Sequence, residues 1–342
     1  MILNSSTSYI EYDKAENESF ILRWNETQSV NCVAQGFITN GTDHVWISCT
    51  NYLGRGRFIL DANGDPAEME IHSWNAQALD GPIKHSKQQQ HAHIGDGDYV
   101  VLENGARELW FGLEGGGSPR VLNAAIARYD ADTLEFVNLH VHPSMKTMAY
   151  LAFHEHRQVA YTTNWTDNQG ELIVFDASTL EWVDRNATVQ GLPEEYQSDI
   201  PFIQGADMDG DILYLMVDDF RSSLIAIQMN DENEYGGQVL SVKHLGLGHE
   251  REGVSVYKDW LLSLDNQWQT WEDRHYAEIA CVSLAKPRTT NRMLDLAVGA
   301  MLGLGVGLVV AWCLWRKNTL RAAVANAEPS YIEVVQQGNP LA

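Results

Sequence analysis

A ten-residue stretch occurs twice in this chain. Residues 129–138 read Tyr-Asp-Ala-Asp-Thr-Leu-Glu-Phe-Val-Asn, and residues 175–184 read Phe-Asp-Ala-Ser-Thr-Leu-Glu-Trp-Val-Asp. Each copy follows an apolar run, 124–127 or 172–174, turns at the Asp-Ala-x-Thr-Leu step and re-enters a second run. The offset is 46 residues, from 129 to 175. A period of that size marks a small sheet that cannot bury its faces alone and must stack on copies of itself.

Strand-like runs extend the period along the chain. They group into five modules, at about 32–73, 93–142, 147–189, 200–245 and 252–284. Asn40-Gly41, Asn104-Gly105 and Asp209-Gly210 supply two-residue hairpin turns. The fifth module lacks a fourth strand, and the run 19–24 can supply it, which closes a ring and removes exposed sheet edges. The sequence therefore predicts an all-β fold, a β-propeller of about five four-stranded blades, followed by one C-terminal transmembrane α-helix. Six blades is the alternative, if residues 74–92 hide a strand pair; the polar, non-alternating 78–90 segment speaks against it. The expected organisation is a flexible segment at 1–18, the propeller at 19–285, a juxtamembrane linker at 286–295, the membrane helix at 296–315 and a cytoplasmic tail at 316–342.

The pattern Asp-Ala-x-Thr-Leu-Glu-aromatic-Val, at 130–137 and 176–183, resembles the outer hairpin of YVTN-, NHL- and quinoprotein-type propeller repeats. That resemblance implies a fold and no particular activity.

The net charge is −23, and all of the excess precedes Met293. Such a surface repels nucleic acid and disfavours anionic membranes, while remaining compatible with Ca²⁺. Eleven Trp and 13 Tyr against 9 Pro mark a globular body. Of four cysteines, Cys32 and Cys49 flank the hairpin at Asn40-Gly41, where a cross-strand disulfide is geometrically reasonable; Cys281 stays free or takes either partner instead.

Leu296 to Trp315 is 20 residues without a charge, which matches a bilayer core, and Arg316-Lys317 follows at once. The flanking positive charges balance and leave the orientation open. The sequons at Asn4, Asn17, Asn25, Asn40, Asn164 and Asn186 all precede the span, which places the propeller outside the cell or in a lumen. No apolar signal core opens the chain, so this reading needs a removed signal sequence; the alternative is a tail-anchored protein with a cytosolic propeller. Gly299, Gly303, Gly307 and Ala311 fall four apart, a small-residue stripe suited to helix dimerisation. In the tail, Tyr331 and Val334 fit the Tyr-x-x-apolar pattern that resembles sorting signals.

Functional groups of a propeller gather at its channel and on the loops of one face. Each second strand closes on an acid or amide: Asn51, Glu114, Asn164, Asp218 with Asp219, and Asp265 with Asn266. Inner strands add Gln35, His93, Asp96, Asp98, Gln204, Asp207 and Glu252. Asp96, Asp98, Glu114, Asn164, Asp218, Asp265 and Glu252 would suit Ca²⁺, a hard cation with six to eight oxygen ligands. The resemblance points the same way, because calcium-dependent lactonases and nucleotidases on propellers use such a ring. The competing explanation is turn chemistry, which favours Asp and Asn at strand ends. Three His-x-His pairs (91/93, 140/142, 154/156) invite a zinc reading; His140/His142 and His154/His156 are expected at the surface, and only His91/His93 leads to the channel. The Asp-rich stretches at 61–65 and 207–211 lack the Gly and Glu of a calcium loop and read as hairpin turns. No nucleophile elbow, phosphate loop or Cys-x-x-Cys pair is present.

The first functional expectation is a single-pass membrane glycoprotein whose propeller binds a protein, glycan or small molecule, with its enzymatic status left open. The alternative is a membrane-anchored Ca²⁺-dependent hydrolase, lactonase-, esterase- or nucleotidase-like, with His93 or His249 as general base.

Overall fold

The computed structural model describes residues 21–23, 34–62, 64–86, 91–115, 123–143, 145–164, 168–219, 221–229, 235–245, 250–267 and 276–283. Of residues 21–23, 68, 86, 91–92, 185–186, 250, 265–267 and 276–283 only the backbone is described. The C-terminal unit, Ala285–Ala342, lies outside the described residues, and with it the expected span, its glycine stripe and the Tyr331–Val334 motif. Among the described residues no helix is long and apolar enough to cross a membrane.

The chain is all-β and of the propeller type, built from antiparallel meanders. After β1 (Ile21–Arg23), the first meander is β2 (Ala34–Thr39), β3 (His44–Cys49), β4 (Leu53–Leu60) and β5 (Pro66–Asn75). A short helix, α1 (Asp80–Ser86), leads to β6 (His91–Val101), β7 (Arg107–Gly115), β8 (Ala125–Asp130) and β9 (Phe136–Val141). The third contains β10 (Ala152–His154), β11 (Val159–Thr162), β12 (Glu171–Asp176) and β13 (Trp182–Gln190). The fourth contains β14 (Ile203–Asp209), β15 (Ile212–Val217), β16 (Ser223–Met229) and β17 (Gly237–His244). The last contains β18 (Glu250–Tyr257), β19 (Trp260–Gln267) and β20 (Tyr276–Ser283), with β1 as its outer strand. A two-residue parallel pairing, Val189 with Gly237 and Gln190 with Gln238, joins the third and fourth meanders into one eight-stranded sheet.

The apolar residues sort into five clusters, each lying between two meanders that are neighbours around a cycle. Trp46, Leu53, Ile94, Phe111 and Tyr129 fill the space between the first and second. Trp110, Ile126, Phe153 and Phe175 lie between the second and third. Tyr150, Leu172, Ile203 and Leu215 lie between the third and fourth. Tyr214, Met216, Val254 and Leu261 lie between the fourth and fifth. Phe37, Ile47, Phe58, Tyr257 and Leu262 return from the fifth to the first. Burial of both faces of every sheet is the driving force, at about 25 cal/mol per Å² of apolar surface.

The duplicated stretch forms the same turn in both places. Asp130 Oδ1 accepts from the amides of Asp132 (3.0 Å) and Thr133 (2.7 Å), and Asp176 Oδ1 accepts from Ser178 (3.0 Å) and Thr179 (2.9 Å). The next residue, Leu134 or Leu180, takes a positive φ, 62° or 59°, and stays buried. In the second meander this turn also adheres to the first: Trp46 Nε1 donates to Ala131 O (2.8 Å), Arg55 Nη1 to Asp132 O (2.6 Å) and Asn75 Nδ2 to Leu134 O (2.8 Å).

Two expectations need revision here. Residues 74–92 hold a helix where no regular element was expected: α1, packed by Gly81 against the Phe136 ring. His142 and His154, expected at the surface, are buried. His142 stacks on Trp182 (5.7 Å between centroids), and His154 Nε2 meets Asp211 Oδ1 at 3.1 Å. Burial holds the His154 imidazole below its ordinary pKa.

Candidate functional site at the strand entrances

The innermost strands β2, β6, β14 and β18 share a local irregularity. In each, two residues oppose one on the partner strand: Gln35-Gly36, Gly95-Asp96, Gln204-Gly205 and Glu252-Gly253. A β-bulge of this kind re-aims side chains and breaks the alternation. The second residue of the bulge is Gly in three strands and Asp in the fourth, and this asymmetry is used. A Cβ on Gly36 would stand 2.7 Å from Asp96 Oδ1, and one on Gly205 would stand 2.7 Å from Asp96 Oδ2. A Cβ on Gly253 would stand 2.8 Å from Asp96 Oδ1. The Asp96 side chain fills the space that three glycines leave.

An inner strand has one edge with no partner strand, and its buried N–H groups need acceptors. Asp96 supplies them. Its carboxylate accepts from Phe37 N (3.0 Å), Ala206 N (3.2 Å) and Val254 N (3.2 Å), and its own amide donates to Ala149 O (2.7 Å). One residue of the second meander thus ties itself to all four others. Burial pushes its carboxyl up, while the backbone N–H groups pull it down. All three of these hydrogen bonds come from donors, so a proton on either oxygen would displace an amide, while the nearby charge of Asp207 works against ionisation.

A second tier repeats the device. Asp98 Oδ2 accepts from Phe153 N (2.6 Å), and Asp207 Oδ2 accepts from Val256 N (2.6 Å) and Ser255 Oγ (2.8 Å). Ser255 Oγ in turn accepts from Thr39 N (3.0 Å). Burial, then the charge of Asp207, raises the Asp98 carboxyl; burial pushes Asp207 up to about 6.

Beyond Asp96, at the end where the inner strands enter, lies a rim of polar side chains. The bulge residues Gln35, Gln204 and Glu252 are all buried. Gln35 Nε2 donates to Ala34 O (3.0 Å), and His93 Nε2 stands 3.5 Å from Glu114 Oε2. Asp218 N donates to Phe202 O (2.9 Å), which places the exposed Phe202 beside Asp218 on this rim. Asn164 O accepts from Asn168 Nδ2 (3.3 Å), within the loop after β11.

Of the residues expected to hold Ca²⁺, Asp96 and Asp98 come together with Asp207, but as acceptors for strand edges. Glu114 pairs with His93. The Asp265 side chain and all of His249 lie outside the described residues. Among the described residues no three His, Cys, Asp or Glu side chains are grouped to hold a metal ion. Cys49 is buried and disulfide-bonded; Cys32 and the Cys281 side chain lie outside the described residues. Asn40 sits at the first hairpin, where its Oδ1 accepts from Thr42 N (3.0 Å) and Thr42 Oγ1 (2.6 Å). Asn4, Asn17, Asn25 and the Asn186 side chain lie outside the described residues.

Two features escaped the sequence reading. The bulge signature, an amide or acid followed by Gly at 35–36, 204–205 and 252–253, was legible as a repeat. The second is a hydrogen-bonded knot on the fourth meander. Ser223 Oγ lies 2.8 Å from His244 Nδ1, 2.9 Å from Asp219 Oδ2 and 2.9 Å from Tyr196 Oη, and Tyr196 Oη donates to Asp219 at 2.5 Å. It resembles a nucleophile–base–acid set in composition only. Ser223 is fully buried, and the acid bonds to the serine and the tyrosine. Nothing local in the sequence announces it, because its members are brought together by the meander.

No protein-family model matches the chain, and no curated protein matches it. Solved structures do. The GH43_1 enzyme from Xanthomonas citri complexed with xylotriose is 10% identical, with 78% of this chain and 87% of that one covered and a TM-score of 0.48. A luciferin-regenerating enzyme is 15% identical over 75% and 80%, with a TM-score of 0.43. A gluconolactonase from Xanthomonas campestris is 11% identical over 73% and 86%, with a TM-score of 0.39. Likeness at this level bears on no activity, substrate or site of this chain.

Proposed function

We propose that the five meanders are the blades of one closed five-bladed propeller, and that this propeller is the ligand-binding ectodomain of a single-pass membrane glycoprotein. The carrying observation is the saturation of Asp96 by three backbone amides at the point where the inner strands converge. That acid maintains the ring and is withdrawn from chemistry, so recognition falls to the rim beyond it. Residues 296–315 are the anchor, Asn40 on its hairpin is a glycan acceptor, and Cys32 is the disulfide partner of Cys49. The balanced flanks leave orientation to the sequons. The glycine stripe of the span pairs two copies, and Tyr331 to Val334 serves sorting.

The test uses the full chain expressed in secretory-competent animal cells. N-glycosidase treatment is expected to shorten the wild-type protein, and Asn40→Gln is expected to remove one glycan. A chain without glycans, whose propeller is digested by protease only after plasma-membrane permeabilisation, would overturn the topology in favour of a tail anchor.

The His93–Glu114 contact favours a second reading, a Ca²⁺-dependent hydrolase with Glu114, Asp218 and Glu252 around the ion and His93 as base. Calorimetric titration of the chelated protein separates the two: saturable heat from Ca²⁺, lost in Glu114→Gln, belongs to the hydrolase alone.

A further inference from the structure

We infer that the rim binds a neutral saccharide, its hydroxyls held by the buried amide of Gln204 and its apolar face laid on Phe202. The inference rests on the binding reading above and names its ligand class. Gln204 is only 8% exposed, yet its side chain meets no hydrogen-bond partner among the described residues. Its polar atoms are not sealed from solvent. Solvent meets these atoms in the free protein, and a ligand hydroxyl that reproduces the water's hydrogen bonds can take its place. An amide offers two donors and an acceptor in one plane. A sugar hydroxyl is donor and acceptor at once, so vicinal hydroxyls match that plane.

Two residues earlier, Phe202 adopts a φ of 54° and stays 41% exposed. A bulky aromatic residue in the left-handed region is strained, and such strain persists where the surroundings over-determine it. The Asp218 amide holds the Phe202 carbonyl, which fixes the Phe202 backbone beside Asp218. A sugar ring presents C–H bonds on one face, and an exposed aromatic face beside planar polar groups accommodates it. Charge argues against an anionic ligand: the body carries the whole net charge of −23, so the rim repels anions.

The experiment presents the full-length detergent-solubilised protein with immobilised neutral hexose and pentose oligosaccharides, acidic oligosaccharides, and soluble peptides. The variants are Gln204→Leu, which removes the amide at similar volume, and Phe202→Gly, which removes the ring and relieves the strain. The expected result is saturable binding of a neutral oligosaccharide, weakened at least tenfold in each variant, with melting temperatures equal to or above wild type. Binding of a neutral oligosaccharide untouched by both variants overturns the inference, and so does binding of acidic oligosaccharides or peptides alone. Those two results leave a binding ectodomain standing. Release of new reducing ends from a bound neutral oligosaccharide supports the saccharide inference and overturns the non-enzymatic reading on which it rests.

Discussion

Asp96 and Val254 lie 158 positions apart in the chain, and the carboxylate of one accepts the backbone amide of the other at 3.2 Å. The same carboxylate reaches Phe37 and Ala206. Asp96→Asn turns an NH₂ group toward at least one of these amides, which places donor against donor. The loss of an acceptor and an orphaned buried N–H together cost about 2–4 kcal/mol. Thermal melting should drop by roughly 5–15 °C for a domain of this size, with or without chelator. A drop that chelation of the wild type reproduces would instead make Asp96 a metal ligand.

The glycines around Asp96 give an ordering of effects. Gly205→Ala puts a methyl 2.7 Å from both Asp96 Oδ2 and the Gly253 Cα, with backbone on one side that cannot rotate away. Over-packing of this kind costs about 1–3 kcal/mol or more. Gly210, at the hairpin between β14 and β15, has open space for a Cβ and a φ of 57°. Gly210→Ala should cost only about 1 kcal/mol, from the backbone. Denaturant titration of both variants should rank Gly205→Ala as the more damaging.

The pH dependence follows from Asp207. Burial pushes its carboxyl up to about 6, above an ordinary value near 4. A carboxyl raised in the folded state stabilises the fold in full below its unfolded value, and this stabilisation is lost as pH rises through the folded value. Asp98 is shifted in the same direction by burial and by Asp207. Melting temperature should therefore fall between pH 4 and pH 6, and Asp207→Asn should flatten that slope. Asp130 and Asp176 act in the opposite sense. Hydrogen bonds from Thr133 hold the first below its ordinary range, and bonds from Ser178 and Thr179 do the same for the second. Their contribution is present above the unfolded value and is lost as pH falls through the folded one, so stability should decline again in stronger acid.

The two copies of the repeated turn should respond unequally to the same substitution. Asp176→Ala removes local bonds to Ser178 and Thr179, a loss comparable to that of a helix cap, about 1 kcal/mol. Asp130→Ala removes the same bonds and loosens the carbonyls that Trp46, Arg55 and Asn75 grip from the first meander. Asp132 adds ion pairs with Arg55 and Arg107. Asp130→Ala should therefore cost more, about 2 kcal/mol, with the excess reduced in an Arg55→Ala background.

The sequence spoke clearly where structure is local. The repeated Asp-Ala-x-Thr-Leu turn, the Asn-Gly and Asp-Gly hairpins and the pairing of the 19–24 run with the last strand all depend on short patterns or on a missing strand. It misled where glycine has a long-range reason. Gly95 and Gly97 interrupt the side-chain alternation that marks a strand, yet both lie inside β6, which begins at His91. Acids on inner strands were legible, but their role was not, because nothing in composition shows that an unpaired edge faces them. His142 and His154 look like surface histidines until Trp182 and Asp211 arrive from other strands. The Ser223 knot draws partners from up to 27 positions away from Ser223 and has no sequence signature.

The pairing of β1 with β20, Ile21 opposite Ala280 and Arg23 opposite Glu278, brings the two extremes of the propeller into one sheet. The order of the meanders around the cycle then carries no information about where translation starts. A circular permutant that links residue 283 to residue 21 through a short spacer, with new termini opened at the exposed Asn104-Gly105 turn, keeps every inter-sheet contact. What it changes is the order of emergence from the ribosome: the second sheet is split, and the first is completed before the ring can close.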